Sequence, residues 1–232
     1  MSHPGGAKTS RDSILSKIRA SLGATQNDPA RLAAAEKRLI AKPRAAPPQR
    51  VAAAGTDLVA RFKEELQRQL ATVVETAGAP EIPAVIAEYL RANNQPLRLR
   101  HGNDPYLSSL DFAETPGFKT FQGRAAPDDT TGLSAAFAGI AETGTMALTS
   151  GADNPVTLGF LPDTHIIVVP QSRIVATFED AFARLRQERG HTPMPRTLNL
   201  ISGPSRTADI GGRIVIGAHG PRRLLAIITG DH

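Results

Sequence analysis

Three segments of this chain carry side chains suited to chemistry, and none is a well-known fingerprint. In NLISGPSRTADIGG, residues 199–212, an apolar run enters Ser202 and Gly203, Pro204 fixes a turn, and Ser205, Arg206 and Thr207 follow with Asp209 close behind. Hydroxyls, free backbone N–H groups and one guanidinium make a cradle for a carboxylate or a phosphate. The same residues also suit a tight turn in which Ser and Asp cap a short helix while Arg206 pairs with Asp209 or Glu142. The Gly-Lys-Ser/Thr ending of a Walker loop is missing, and GxGxxG occurs nowhere in the chain.

The second segment is GIAETGTMALTS, residues 139–150, where Glu142, Thr143, Gly144 and Thr145 precede an apolar run. Glu142 can serve as a general base, a covalent nucleophile or an acceptor for a ligand hydroxyl. Chain-local reasoning favours a plainer role, a carboxylate that pairs with Arg206 or receives turn N–H groups. The third segment, GAHGPRR, residues 217–223, sets His219 between glycines at a turn. There it can shuttle a proton near neutral pH, or simply make the turn. His165, at the head of HIIVVP, can line the same cleft, but reads more readily as a satisfied structural histidine. None of the six histidines lies in an HExxH-like cluster, so no metal site is expected.

Positioning these residues falls to alternating helices and strands. TSRDSILSKIRASLG reads as an amphipathic helix with Ser10 as its cap and Gly23 at its end, PARLAAAEKRLIA as a second helix, and AKPRAAPPQR as an extended linker. Residues 1–50 thus form a helical arm on a tether, and residues 51–232 the main domain. TDLVARFKEELQRQLATVVE, residues 56–75, repeats apolar residues at three- and four-residue intervals and predicts one helix capped by Thr56. EIPAVIAEYLRANN predicts a helix with Pro83 in its first turn. Strands are expected at QPLRLR, GFKTF, TGTMALTS and THIIVVP, the last buried on both faces. GLSAAFAGI reads as a small-residue helix or turn, DNPVTLGFLP as a short helix begun by Asp153 or Asn154, and TFEDAFARLRQERG as a helix with Thr177 and Asp180 in a capping box. Three apolar runs, RTLNLISG, GRIVIGAHG and PRRLLAIIT, close the chain. The pattern predicts an α/β fold, a three-layer sandwich around a mostly parallel sheet, with antiparallel strands near the end. In such a sheet ligands sit beyond the carboxyl ends of the strands.

Composition narrows the function classes. The 232 residues contain no cysteine, which excludes disulfides, zinc-thiolate sites and cysteine-ligated iron–sulfur clusters within this chain. The formal charge of +5 is uneven: residues 1–50 hold ten Lys and Arg against three Asp and Glu, and the remainder seventeen against nineteen. The folded body is therefore nearly neutral and poor in aromatics, which argues against nucleic-acid binding. No apolar run approaches the roughly 20 residues needed to span a bilayer, and no apolar signal core opens the sequence, so a cytoplasmic location is expected.

GIAETGTMAL, PDTHIIVVPQSRIV, ISGPSRTADI and GAHGPRRL, in that order, resemble the LUD-domain family of bacterial lactate-utilization systems, over roughly residues 55–230. The resemblance implies a fold similar to sugar-phosphate isomerases and CoA transferases, and a role in oxidising L-lactate to pyruvate within a multi-subunit complex. It places the iron–sulfur clusters in partner subunits, with no cofactor in this chain. It further implies a cleft for a small anionic metabolite, lined by Glu142 to Thr145, Ser202 to Asp209 and His219. There Arg206 would grip a carboxylate while Glu142 or His219 handles a proton. Two alternatives stand beside it: an assembly subunit that docks through its basic arm, and a CoA-transferase-like enzyme with Glu142 as nucleophile. Self-association into a homo-oligomer is also compatible with the sequence. After Ile210 this chain has Gly211 and Gly212 where the family commonly has an acidic residue, so any site using that acid is altered here.

Overall fold

The computed structural model describes residues 9–23, 28–41, 44–53 and 55–230. Its elements in chain order begin with helices α1 (Ser10–Ser21), α2 (Pro29–Ala41), α3 (Gln49–Ala52) and α4 (Leu58–Arg68). There follow β1 (Thr72–Thr76), α5 (Ile82–Ala92), β2 (Arg98–His101), α6 (Pro105–Ser108), β3 (Lys119–Gln122), β4 (Thr131–Ala135), β5 (Ala138–Ile140) and β6 (Thr145–Thr149). The chain continues through β7 (Thr164–Pro170), β8 (Ile174–Val175), α7 (Phe178–Arg189), β9 (Leu198–Ile201), β10 (Arg206–Ile210), β11 (Arg213–Ile216) and β12 (Arg223–Thr229).

Six strands form one all-parallel sheet in the order β1-β12-β7-β4-β2-β3. Its central strands β7 and β12 are largely apolar because both faces are covered. Ile166, Val168, Leu225 and Ile227 meet Ile82, Ile86 and Leu90 of α5 on one face. The alternate residues Ile167, Val169, Ala226 and Ile228 meet Phe62 and Leu66 of α4, with Met146 and Leu148 of β6, on the other. The antiparallel strands do not extend this sheet. They lie in a separate four-stranded sheet, β8-β5-β6-β9, in which only β8 pairs parallel and whose outer face packs on Ala181 of α7, and in a hairpin, β10-β11.

Contacts divide the chain into Met1–Ala45 and Ala46–His232. In the first unit Thr9, one residue before the expected Ser10, caps α1 in a reciprocal box with Asp12. No residue of α1 or α2 is buried.

Three local expectations are corrected. The helix expected over 56–75 ends at Arg68, and its cap is Asp57, which accepts from the Val59 and Ala60 N–H groups. Leu70 takes φ 69° and breaks the helix, which frees the β-branched run of β1 to pair with β12. The small residues of GLSAAFAGI form β4 and β5 rather than a helix or turn. Their size reflects close approach within the layers, since a Cβ at Gly132 would lie 2.4 Å from the Leu158 carbonyl oxygen. Ser-Arg-Thr-Ala-Asp, read as a loop or short helix, enters the strand β10. Elsewhere the Thr177–Asp180 capping box and Pro83 in the first turn of α5 are as expected.

Candidate functional site

Ser202 follows β9 and Arg206 opens β10, so the turn between them joins the small sheet to the hairpin. Gly203 lets this turn rest on the end of α4: a Cβ there would lie 2.4 Å from the Gln69 carbonyl oxygen. The base of the hairpin is clamped by the Ser205 N–H, which donates to Pro221 O at 2.9 Å, and by the Gly217 N–H, which donates to Ser205 O at 2.9 Å. These bonds bring the 219–221 turn beside the 202–206 turn. Between them lies a cavity of about 410 Å³, lined among others by Ser202, Gly203, Ser205, Arg206, His219 and His165.

The Arg206 guanidinium donates to the neutral Gln69 Oε1 at 2.6 Å. A neutral partner orients the guanidinium without cancelling its charge. The nearby end of α4 is its C-terminus, whose dipole favours cations. The positive charge and donors at this cavity therefore come from the Arg206 guanidinium and the serine hydroxyls, not from a helix end.

A hydroxyl chain lies beside the cavity. Thr143 Oγ1 and Thr145 Oγ1 are 2.7 Å apart, and Thr145 Oγ1 and Ser202 Oγ 2.8 Å. Gly144, at φ 61°, turns the chain between the threonines where a Cβ would lie 2.5 Å from the Leu66 nitrogen. Glu142 is tied down through its backbone: its N–H donates to Ala176 O at 3.1 Å, and its carbonyl accepts from Arg50 Nε at 3.0 Å. Its carboxylate does not line the cavity.

His165, second residue of β7, was expected to be satisfied and is only half so. Nε2 shares a 3.0 Å hydrogen bond with Ser134 Oγ, whereas buried Nδ1 has no partner among the described residues. Complete burial pushes its pKa from 6.5 down to about 3, so the ring is neutral at physiological pH. Gly159 leaves the ring room, since a Cβ there would lie 3.2 Å from its Cε1. The ring lines the cavity wall but is fully buried, so its unmatched Nδ1 can meet a ligand only if the wall shifts. The alternative that His165 lines the cleft is thus the one the structure favours.

Of the residues singled out in the sequence, Ser202, Gly203, Ser205, Arg206 and His219 line this cavity. Thr145 reaches it through the Ser202 hydroxyl, and Thr143 through Thr145. Glu142, Gly144 and Thr207 lie outside its lining, Thr207 being paired with Val215 in the hairpin. The Asp209 side chain lies outside the described residues. The location also departs from expectation: His165 and Leu224 stand at the starts of β7 and β12, so the cavity opens at the amino ends of the parallel strands. Among the described residues, no three His, Asp or Glu side chains are grouped to hold a metal ion, and no helix is long and apolar enough to cross a membrane.

A family profile described as LUD domain matches residues 59–229. The chain is 39% identical over 94 residues to "Lactate utilization protein C" of Geobacillus sp. (strain WCH70), covering 40% of this chain and 39% of that one. It is 29% identical over 192 residues to the protein of the same name from Anoxybacillus flavithermus, covering 75% of this chain and 81% of that one. The Geobacillus match thus spans about two fifths of that relative's length. Among solved structures, a DUF162-family protein from Deinococcus radiodurans superposes with a TM-score of 0.57 at 24% identity, over 75% of this chain and 97% of the other, a likeness of fold.

Proposed function

The chain belongs to the LUD-domain family, and from that premise we propose that it is a component of an L-lactate utilization system, a LUD domain at residues 51–232 behind an N-terminal arm, that binds a small carboxylate in the amino-end cavity. The observation that carries the reading is the convergence of Ser202, Ser205, Arg206 and His219 on one cavity, with the Arg206 charge turned by a neutral amide rather than consumed by a carboxylate. The guanidinium grips the ligand carboxylate, the serine hydroxyls add donors, and a small shift of the wall brings neutral His165 to a hydroxyl or carbonyl on the buried side. His219, exposed at the mouth, is placed to take or give a proton. In this reading the electrons pass to iron–sulfur subunits, since a cysteine-free chain lacks the thiolates that such clusters take as ligands.

Calorimetric titration with L-lactate and pyruvate tests the site. Arg206→Ala should weaken binding about tenfold or more, the loss of one charge-assisted contact. Equal binding by wild type and variant would remove this cavity from consideration.

A second reading is favoured by the arm. Ile14, Ile18 and Leu22 of the first helical segment are 56%, 49% and 64% exposed, on a segment rich in Lys and Arg. Such a helix is suited to docking on an acidic partner with an apolar groove. Deleting residues 1–50 separates the readings: complex retained with activity intact rejects the docking role, and complex lost supports it.

A further inference from the structure

The opposite end of the parallel sheet holds a larger cavity to which the three sequence segments contribute only Ser150, the last residue of the second. It encloses about 760 Å³ beyond the carboxyl ends of β2 and β3, between Asn103, Gly123 and Arg124 on one side and Ser150, Gly151 and Arg196 on the other. This is the position at which open parallel sheets present ligands, and the size suits a whole metabolite.

Its walls are cross-linked by the chain itself. The Asn103 N–H donates to Ala152 O at 3.0 Å, and the Ala125 N–H to Thr157 Oγ1 at 3.0 Å. Ser150 and Thr197 are joined twice, by the Ser150 N–H to Thr197 O and by the Thr197 N–H to Ser150 Oγ, both at 3.0 Å. Gly102 lets the loop after β2 press on the 153–155 segment, since a Cβ there would lie 2.0 Å from Asp153 O. The loop bearing Arg124 is further held by buried Asp129, which accepts from the Ala126 N–H at 2.7 Å and from both Arg98 and Arg100. Each cavity arginine therefore adjoins a pinned residue, Arg124 beside Ala125 and Arg196 beside Thr197.

The charge is one-sided. Among the described residues neither the Arg124 nor the Arg196 guanidinium has a hydrogen bond or ion pair, and no Asp or Glu lines the cavity. Elsewhere in the domain arginines are commonly matched, as Arg61 is with Glu64 and Glu65, and Arg173 with Glu188. Two unmatched guanidinium groups on a preformed cavity wall, with Asn103, Ser150 and Thr157 supplying neutral polar groups, match a dianion better than a monocarboxylate. No aromatic side chain lines the cavity, so base stacking contributes nothing there.

We propose that this carboxyl-end cavity is a second anion site that takes a phosphate-bearing metabolite, its phosphate held between Arg124 and Arg196. It is separate from the carboxylate site proposed at the amino end.

Pyrophosphate titrated calorimetrically into the full-length protein at low salt is the probe. Saturable binding is expected, weakened at least tenfold by Arg124→Ala and by Arg196→Ala. Arg206→Ala at the other cavity and Arg91→Ala on the exposed side of α5 should leave it unchanged. No saturable binding, or binding lowered equally by all four substitutions, overturns the site in favour of general charge attraction. L-lactate binding that survives Arg124→Ala and Arg196→Ala keeps the two sites distinct, and its loss in those variants refutes their independence.

Discussion

The cavities at the two ends of the parallel sheet are built by different means. The amino-end cavity gathers short hydroxyl side chains from turns about sixty residues apart, with one guanidinium steadied by a neutral amide and one buried imidazole half satisfied. The carboxyl-end cavity is nearly twice as large, and its loops are fixed to each other mainly through backbone groups. Its two guanidinium groups have no partner among the described residues. A motif rich in reactive residue types thus became a modest site with a single charge, oriented by an amide. Plain loop sequence, GRAAP and PMPRTL, became the more strongly charged one. The charge available to a ligand depends on which partners folding leaves over, and residue type alone does not reveal that.

The largest expected effect breaks one end only. Asp129→Ala removes the carboxylate shared by Arg98, Arg100 and the Ala126 N–H and should cost about 3 kcal/mol of stability, measured by urea unfolding. By loosening the Arg124 loop it should weaken pyrophosphate binding while L-lactate binding persists. Simultaneous loss of both in a variant that remains folded would show that the ends are not independent.

His165 gives the next largest effect, confined to the amino end. The unfolded chain takes up a proton near 6.5, whereas the folded imidazole resists until about 3. Between those values the unfolded state binds more protons, so stability falls as pH falls; above 6.5 neither state is charged and the effect vanishes. From pH 7.5 to pH 4.5 this should remove about 3 kcal/mol, and His165→Gln should abolish that part of the loss. Asp129 acts in a lower window. Burial alone would raise its pKa, but hydrogen bonds from Arg100, from the Ala126 N–H and from Arg98 hold it below 3.8, so its stabilisation is lost only as pH falls further. Unfolding curves for the wild type and His165→Gln that stay parallel across pH 4.5 to 7.5 would refute the assignment.

Gly144→Ala is the smallest perturbation. The left-handed backbone and the contact with Leu66 should together cost about 2 kcal/mol. Displacing Thr145 from Ser202 should reduce L-lactate affinity without changing pyrophosphate affinity.

Much of the fold was legible. The apolar periodicity of residues 58–68 and 82–92, the capping box at Thr177 and the doubly buried run at 164–170 depend on neighbours in sequence and appear as expected. The reading went wrong where tertiary pairing decides. TVVET continues the helical period of α4, but its β-branched residues pair with β12, more than 150 residues away. The small residues of β4 and β5 resembled a helix because the crowding that demands them, by the Leu158 backbone at Gly132 and the Phe62 ring at Gly139, exists only after packing. The candidate site was legible in part. Ser202, Ser205, Arg206 and His219 converge, yet Glu142 turns out to be held through its backbone and His165 joins the wall.

By itself the sequence determined the α/β class, the absence of thiolate chemistry, the separation of a basic arm from a nearly neutral body, and the strings that mark the family. Those properties reside in composition and short-range order. Tertiary structure alone decided that the antiparallel strands form a sheet of their own, that the SGPSR turn faces the amino ends of β7 and β12, and that Arg124 and Arg196 share a cavity unpaired. Each of these depends on which distant groups meet and on which polar groups find partners once water is excluded.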